Sequence, residues 1–123
     1  MARTPVNLYA FGSRAKGPRL PRAGIDLFLD ERGTVGPEVP PSPDGMSTFA
    51  DIDQSPLTGH YFVLPAGTEL PAGIEVVADG VDVQTDGIHP PTHHTIYPAQ
   101  RIAWEGFVEL VANLPWQSAG KKP

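Results

Sequence analysis

The chain has 123 residues, 40% hydrophobic and 19% charged, a length and balance that build one folded domain and exclude a two-domain or disordered protein. It has no cysteine, which excludes disulfides, thiol catalysis and a cysteine-ligated zinc site, and no run reaches the roughly 18 to 20 apolar residues of a spanning helix. The net charge is −5 at pH 7 but uneven: residues 1–32 carry six Lys/Arg against three acids, and residues 33–100 carry nine acids and no Lys/Arg.

Thirteen glycines and fifteen prolines lie scattered between short apolar runs, so many turns joining short strands are expected. Val6 to Phe11 alternates as a half-buried opening strand, with Leu8 and Ala10 on one face and Tyr9 and Phe11 on the other. From Ser13 to Gly24, Arg14, Lys16, Arg19 and Arg22 are interleaved with Pro18 and Pro21, a composition that predicts a basic loop. Ile25 to Leu29 reads as a strand closed by a turn, and Pro37 to Pro43 as an extended connection.

Gly45 ahead of Met46-Ser47-Thr48-Phe49 permits a sharp bend. Tyr61 to Leu64 predicts a strand ending in the turn Pro65-Ala66-Gly67; Ile74 to Ala78 and Thr92 to Tyr97 predict two more. Between Ala99 and Leu114 the apolar period becomes helical, through Ile102, Ala103, Phe107, Leu110, Val111 and Leu114, until Pro115-Trp116 ends it. Residues 117–123 form a small basic tail, expected to fray. The whole is an α+β reading: a single domain over 1–123 with its core at about 6–116, short strands in a mixed or antiparallel sheet, and a C-terminal helix.

Four histidines, His60, His89, His93 and His94, are the first candidates for chemistry. Helical spacing would let His89, His93 and His94 share a metal, but Pro90 and Pro91 oppose a helix. On a strand, His93 shares a face with Thr95 and Tyr97, while His94 shares the other with Ile96. A hydrogen-bonded structural histidine and a pocket-facing one both satisfy that pattern. Ser47-Thr48 equally suits turn capping or a ligand contact. Phe49 stands where the second glycine of a serine-hydrolase elbow belongs, which counts against that reading, and no phosphate-binding glycine loop opens a helix.

In order along the chain, Val6-Asn7-Leu8-Tyr9, Asp44 to Phe49, Phe62 to Thr68 and Thr92 to Ala99 resemble the NAD-dependent cytotoxin family of type VI secretion effectors. The resemblance runs from about Val6 to Trp116 and is strongest in the histidine block. It implies a compact ADP-ribosyltransferase-like domain that takes NAD as substrate and needs no metal. His93 matches the histidine the family requires, and Ser47 the serine of its hydroxyl pair, giving the expected catalytic residues. Met46 stands where the family can have threonine, which leaves Thr48 as a possible second hydroxyl. Ala10 stands at the family's arginine position, which leaves Arg14 or Arg19 to meet phosphate.

Tyr9, Arg14, Ser47, Thr48 and His93 are therefore the expected NAD-binding set. The implied product is an antibacterial toxin: cytoplasmic and silenced by a cognate immunity protein in its producer, then secreted into the cytoplasm of a target cell. There it would ADP-ribosylate a protein or RNA, with no membrane partner. An NAD-glycohydrolase toxin and a catalytically inactive binding module of the same fold are the alternatives. No glutamate of the kind that supports the reacting centre in such transferases sits in a recognisable motif.

Overall fold

The computed structural model describes residues 2–22, 29–36, 45–55, 57–78 and 93–123. The expected connection Pro37 to Pro43, most of the expected strand Ile25 to Leu29, and Thr92 with His89, Pro90 and Pro91 fall outside these residues.

Alternation along the opening segment produces β1 (Leu8–Ser13): Leu8 and Ala10 are buried in the main core, while the Tyr9 and Phe11 rings on the opposite face both contact Tyr61. The remaining strands are β2 (Gly17–Pro18), β3 (Thr34–Val35), β4 (Met46–Phe49), β5 (Gly59–Leu64), β6 (Ile74–Val77), β7 (His93–Pro98), β8 (Ile102–Ala103) and β9 (Gln117–Lys122). Among the described residues one α-helix, α1 (Trp104–Ala112), lies between the last two, and a 3-10 turn occupies Ile52–Gln54. Among the described residues the strands form one sheet in the order β6-β7-β4-β1-β5-β9, with β2 paired to the end of β1, and a second ribbon of β3 with β8. Every one of these pairings is antiparallel, so the fold is α+β with the helix on one side of an antiparallel sheet.

Phe107 and Val111 on α1 pack into a cluster with Leu8, Ala10, Met46, Leu64 and Ile96 of the sheet. The helix begins at Trp104, later than its apolar period predicts. Pro98 closes β7, and Ile102 and Ala103 instead pair with Val35 and Thr34 in extended backbone. Its end is as expected, with the Trp116 indole donating to the Val111 carbonyl at 3.0 Å.

Two further expectations are corrected. Gly17 and Pro18 of the basic loop pair with Ser13 and Gly12, making a hairpin whose tip is residues 14–16. The tail is not frayed: β9 pairs with β5 from Gly59↔Lys122 to Val63↔Gln117, and Lys122 Nζ donates to the carbonyls of Ile52, at 3.2 Å, and Ser55. Its mostly exposed polar side chains carry no alternation, because backbone hydrogen bonds hold it. Lysines suit such an edge strand by opposing further strand addition.

Thr4 fastens the N-terminal segment to the turn after β5. Its buried hydroxyl donates to the Pro65 carbonyl at 2.7 Å and accepts from Thr68 N–H at 2.9 Å. Thr4→Val keeps the shape and removes both bonds, and should cost about 1–2 kcal/mol. A circular dichroism melt should show the midpoint falling by roughly 5–10 °C.

Asp30 organises the turn before β3. Its carboxylate accepts from the Thr34 hydroxyl at 2.7 Å, from the Thr34 and Arg32 N–H groups at 2.9 Å, and from Arg101 at 3.1 Å. The Thr34 hydroxyl first, then the Thr34 N–H, lowers its pKa from 3.8 to about 2. Because the folded value is depressed, this clasp is intact above pH 3.8 and is lost as pH falls through about 2. The Thr34 amide resonance should titrate across that window by NMR, and Asp30→Asn should flatten it.

Candidate functional site

Which side chains share a face follows from the registers Met46↔Ile96, Ser47↔Thr95, Thr48↔His94 and Phe49↔His93 between β4 and β7. Met46 and Ile96 belong to the core beneath the helix, so Thr48 and His94 lie on that face too. Ser47, Phe49, His93 and Thr95 lie on the other. The predicted division of His93 from His94 is therefore found, and both rings are buried, His93 2% exposed and His94 7%.

Thr48 is corrected by this geometry. It is fully buried, and its hydroxyl donates to the His94 carbonyl at 3.1 Å, so it supplies no second hydroxyl beside Ser47. Ser47 is exposed. It stands diagonally across the β4/β7 pair from His93, a spacing of about 7 Å between such positions.

Beside Ser47 the sheet opens. β1 and β4 pair only at Tyr9↔Phe49, and a cleft of about 220 Å³ lies where they part. Its walls include Ser47, the Phe11 and Phe49 rings, Leu57 from the connection between β4 and β5, and Arg19 and Arg22 from the segment after β2. The described lining residues include two arginines and no acidic residue.

The other expected site residues stand around this cleft. His93 is behind Phe49, whose ring it meets edge-on with centroids 5.3 Å apart, and it is not among the lining residues. Tyr9, half-buried, pairs with Phe49 in register and meets the Tyr61 ring at 6.0 Å, next to the cleft but outside its lining. Arg14 is exposed at the hairpin tip, away from the lining, so Arg19 and Arg22 are the cationic groups at the cleft. Arg22, Phe11, Phe49 and Leu57 are the residues that pattern reading missed. Phe49 was accessible to it, since it sits two positions from Ser47 on a strand.

Glu75 shares the face of Ser47, but two strands away, roughly 10 Å across the sheet. It accepts from the Tyr97 hydroxyl at 3.0 Å. Burial, then this bond and the Glu75 charge, raises the Tyr97 pKa and keeps the phenol protonated. Among the described residues no group of three His, Cys, Asp or Glu is placed to hold a metal ion, and no helix is long and apolar enough to cross a membrane.

No protein-family model and no curated protein matches this chain.

Proposed function

We propose that this chain is an ADP-ribosyltransferase-fold toxin domain that takes NAD as substrate and transfers ADP-ribose to a cytoplasmic target of a competing bacterium. The observation that carries the reading is the cleft, where an exposed Ser47 hydroxyl, two aromatic walls and the cations Arg19 and Arg22 converge on the face that also holds His93. Aromatic and apolar walls with a few placed polar groups are what a small-molecule site needs. The ordered sequence resemblance supplies the identity of that molecule.

The cleft's volume is below the roughly 300–1,000 Å³ of a site for a whole drug-sized ligand. One ring-bearing end of NAD fits it better than the entire dinucleotide. Ser47 would hydrogen-bond a ribose hydroxyl there, Phe11 and Phe49 would flank a planar ring, and the guanidinium groups would meet the pyrophosphate. The reaction breaks the bond between nicotinamide and ribose, nicotinamide leaves with the bonding pair, and an acceptor nucleophile takes the ribose carbon and loses its proton. Fixed ligand position and oriented dipoles are the help a protein gives to such an oxocarbenium-like centre. His93 acts through Phe49 as a positioning residue.

Secretion through a type VI system and silencing by a cognate immunity protein complete the proposal. Purified protein incubated with NAD labelled in its adenylate half, alone and with a bacterial lysate, tests it. Label retained on macromolecules supports transfer. Label released only as free ADP-ribose replaces transfer with the glycohydrolase reading, and NAD left intact with no effect of expression on bacterial growth leaves an inactive binding module.

A further inference from the structure

Gly106, Leu110 and Leu114 follow one another at four-residue steps along α1 and its end, a stripe beside the face that buries Phe107 and Val111. The turn before β6, with Pro71, Ala72 and Gly73, runs along this stripe. Two open hollows lie between them, of about 390 and 510 Å³, and Ala72, Leu110 and Asn113 line both. Gly106 lines the first hollow and Leu114 the second, so the half-buried Leu110 stands at their boundary. Together they form a groove that follows the helix for about 12 Å, with its two hollows about one turn apart.

Two residues on its lip are poor choices for the helix itself. Glycine is worse than alanine within a helix, yet a Cβ at Gly106 would meet nothing within 4 Å, so packing inside the chain does not require it. The missing side chain keeps the first hollow open. Glu109 is exposed one turn after Glu105, a like-charge pair, and lies in the half of the helix where the dipole disfavours an anion. Neither glutamate meets a cation among the described residues. Arg101, the nearest cation in sequence, is held by Asp30 at 3.1 Å, and Arg3 lies 3.8 Å from Glu69, a residue of the second hollow.

Apolar hollows one helical turn apart, beside an acidic edge without cations of its own, are complementary to an amphipathic helix with basic flanks. A second copy of α1 would bring Glu105 and Glu109 and no Lys or Arg, so charge opposes pairing of the groove with itself. We propose that this groove docks a basic amphipathic helix of a partner protein. The partner sets apolar side chains at i and i+4 into the two hollows and places lysine or arginine beside Glu105 and Glu109. The groove is on the helix side of the sheet, opposite the face that carries Ser47, so the inference stands apart from the reading of the cleft.

The probe is a fluorescein-labelled helical peptide of about four turns, leucine on one face and lysine on the rest, with a glutamate version of the same pattern as its counterpart. Anisotropy should show the lysine peptide binding at least tenfold more tightly than the glutamate one. Gly106→Leu fills the first hollow without altering charge. It should weaken the lysine peptide at least tenfold and, as a better helix former set in open space, raise the midpoint of a thermal melt. The double variant Glu105→Lys, Glu109→Lys should turn the preference toward the glutamate peptide. In the wild-type protein, amide resonances of Ala72, Gly106 and Asn113 should shift as the lysine peptide is added, and shifts confined to other residues sink the site. A folded Gly106→Leu protein that binds as the wild type does reduces the attraction to net charge and overturns the groove, as does no binding or equal binding of the two peptides. A wild-type dimer in sedimentation velocity that Gly106→Leu dissociates gives the groove to a second copy and overturns the basic partner.

Discussion

If the chain turns over NAD as proposed, replacing His93 with glutamine should cut the rate of NAD consumption about 100-fold with little change in KM, whereas Ser47→Ala should raise KM and leave a measurable kcat. The difference comes from where the two residues stand. Ser47 is exposed at the cleft and would contact the ligand directly, so its removal costs a neutral hydrogen bond of about 1 kcal/mol. His93 is 2% exposed, outside the cleft lining, and packs edge-on against Phe49, which is in the lining. A positioning residue of that kind acts on the alignment of the reacting end, where displacement by about 1 Å costs on the order of 100-fold. Glutamine keeps hydrogen-bonding groups in a buried site that alanine would leave hollow. Phe49→Leu supplies the control: if His93 works through that ring, it should reproduce the kcat loss and make a further His93→Gln change nearly silent. Equal and additive losses from the two substitutions would remove the positioning role, and near-ultraviolet circular dichroism shows whether either variant has lost its packing.

Gly45→Ala should destabilise the fold by about 3 kcal/mol, at the upper end of what inserted methyl groups cost in packed proteins. The sequence suggests that this glycine serves a bend, but its φ is not positive. Its role is close approach. A Cβ at Gly45 would run into the Ile96 carbonyl oxygen and would stand 2.9 Å from the Thr95 methyl group. The obstacle is backbone of β7, which cannot rotate aside, so β4 must move away and loosen the four register pairs that set Ser47 beside Thr95 and Phe49 beside His93. Urea denaturation should show a lower midpoint with an unchanged slope. Gly67→Ala gives the contrast: its φ of 78° strains any L side chain, yet nothing lies within 4 Å of the added carbon. That change should cost only the roughly 1–2 kcal/mol of the left-handed backbone.

The parts of this fold legible in its sequence are those whose side chains alternate between a core and an open face. Leu8 and Ala10 against Tyr9 and Phe11, and His93 against His94, follow from period alone. β9 was hidden because its Gln, Ser, Ala, Gly and Lys residues have no apolar partner to reveal a period. The start of α1 was misplaced because Ile102 and Ala103 satisfy a helical spacing while pairing with β3 as a strand. At the site, strand alternation is enough to separate Ser47 from Thr48, once Met46 is known to be buried. The choice of Arg19 and Arg22 over Arg14 was not accessible, since Pro18 and Pro21 erase any period that would place those side chains and the hairpin itself decides which cations reach the cleft.

The order of strands also sets a clock. β1 finds its partner β5, β4 its partner β7 and β5 its partner β9 across roughly fifty or more residues, so most of the sheet waits for distant chain. Chains dominated by such non-local pairing fold in milliseconds to seconds, not microseconds. During synthesis, β4 and the Ser47 it carries lack their β7 neighbour until that strand has emerged, and β5 lacks β9 until that strand follows. The cleft is thus among the later features of the molecule to take shape.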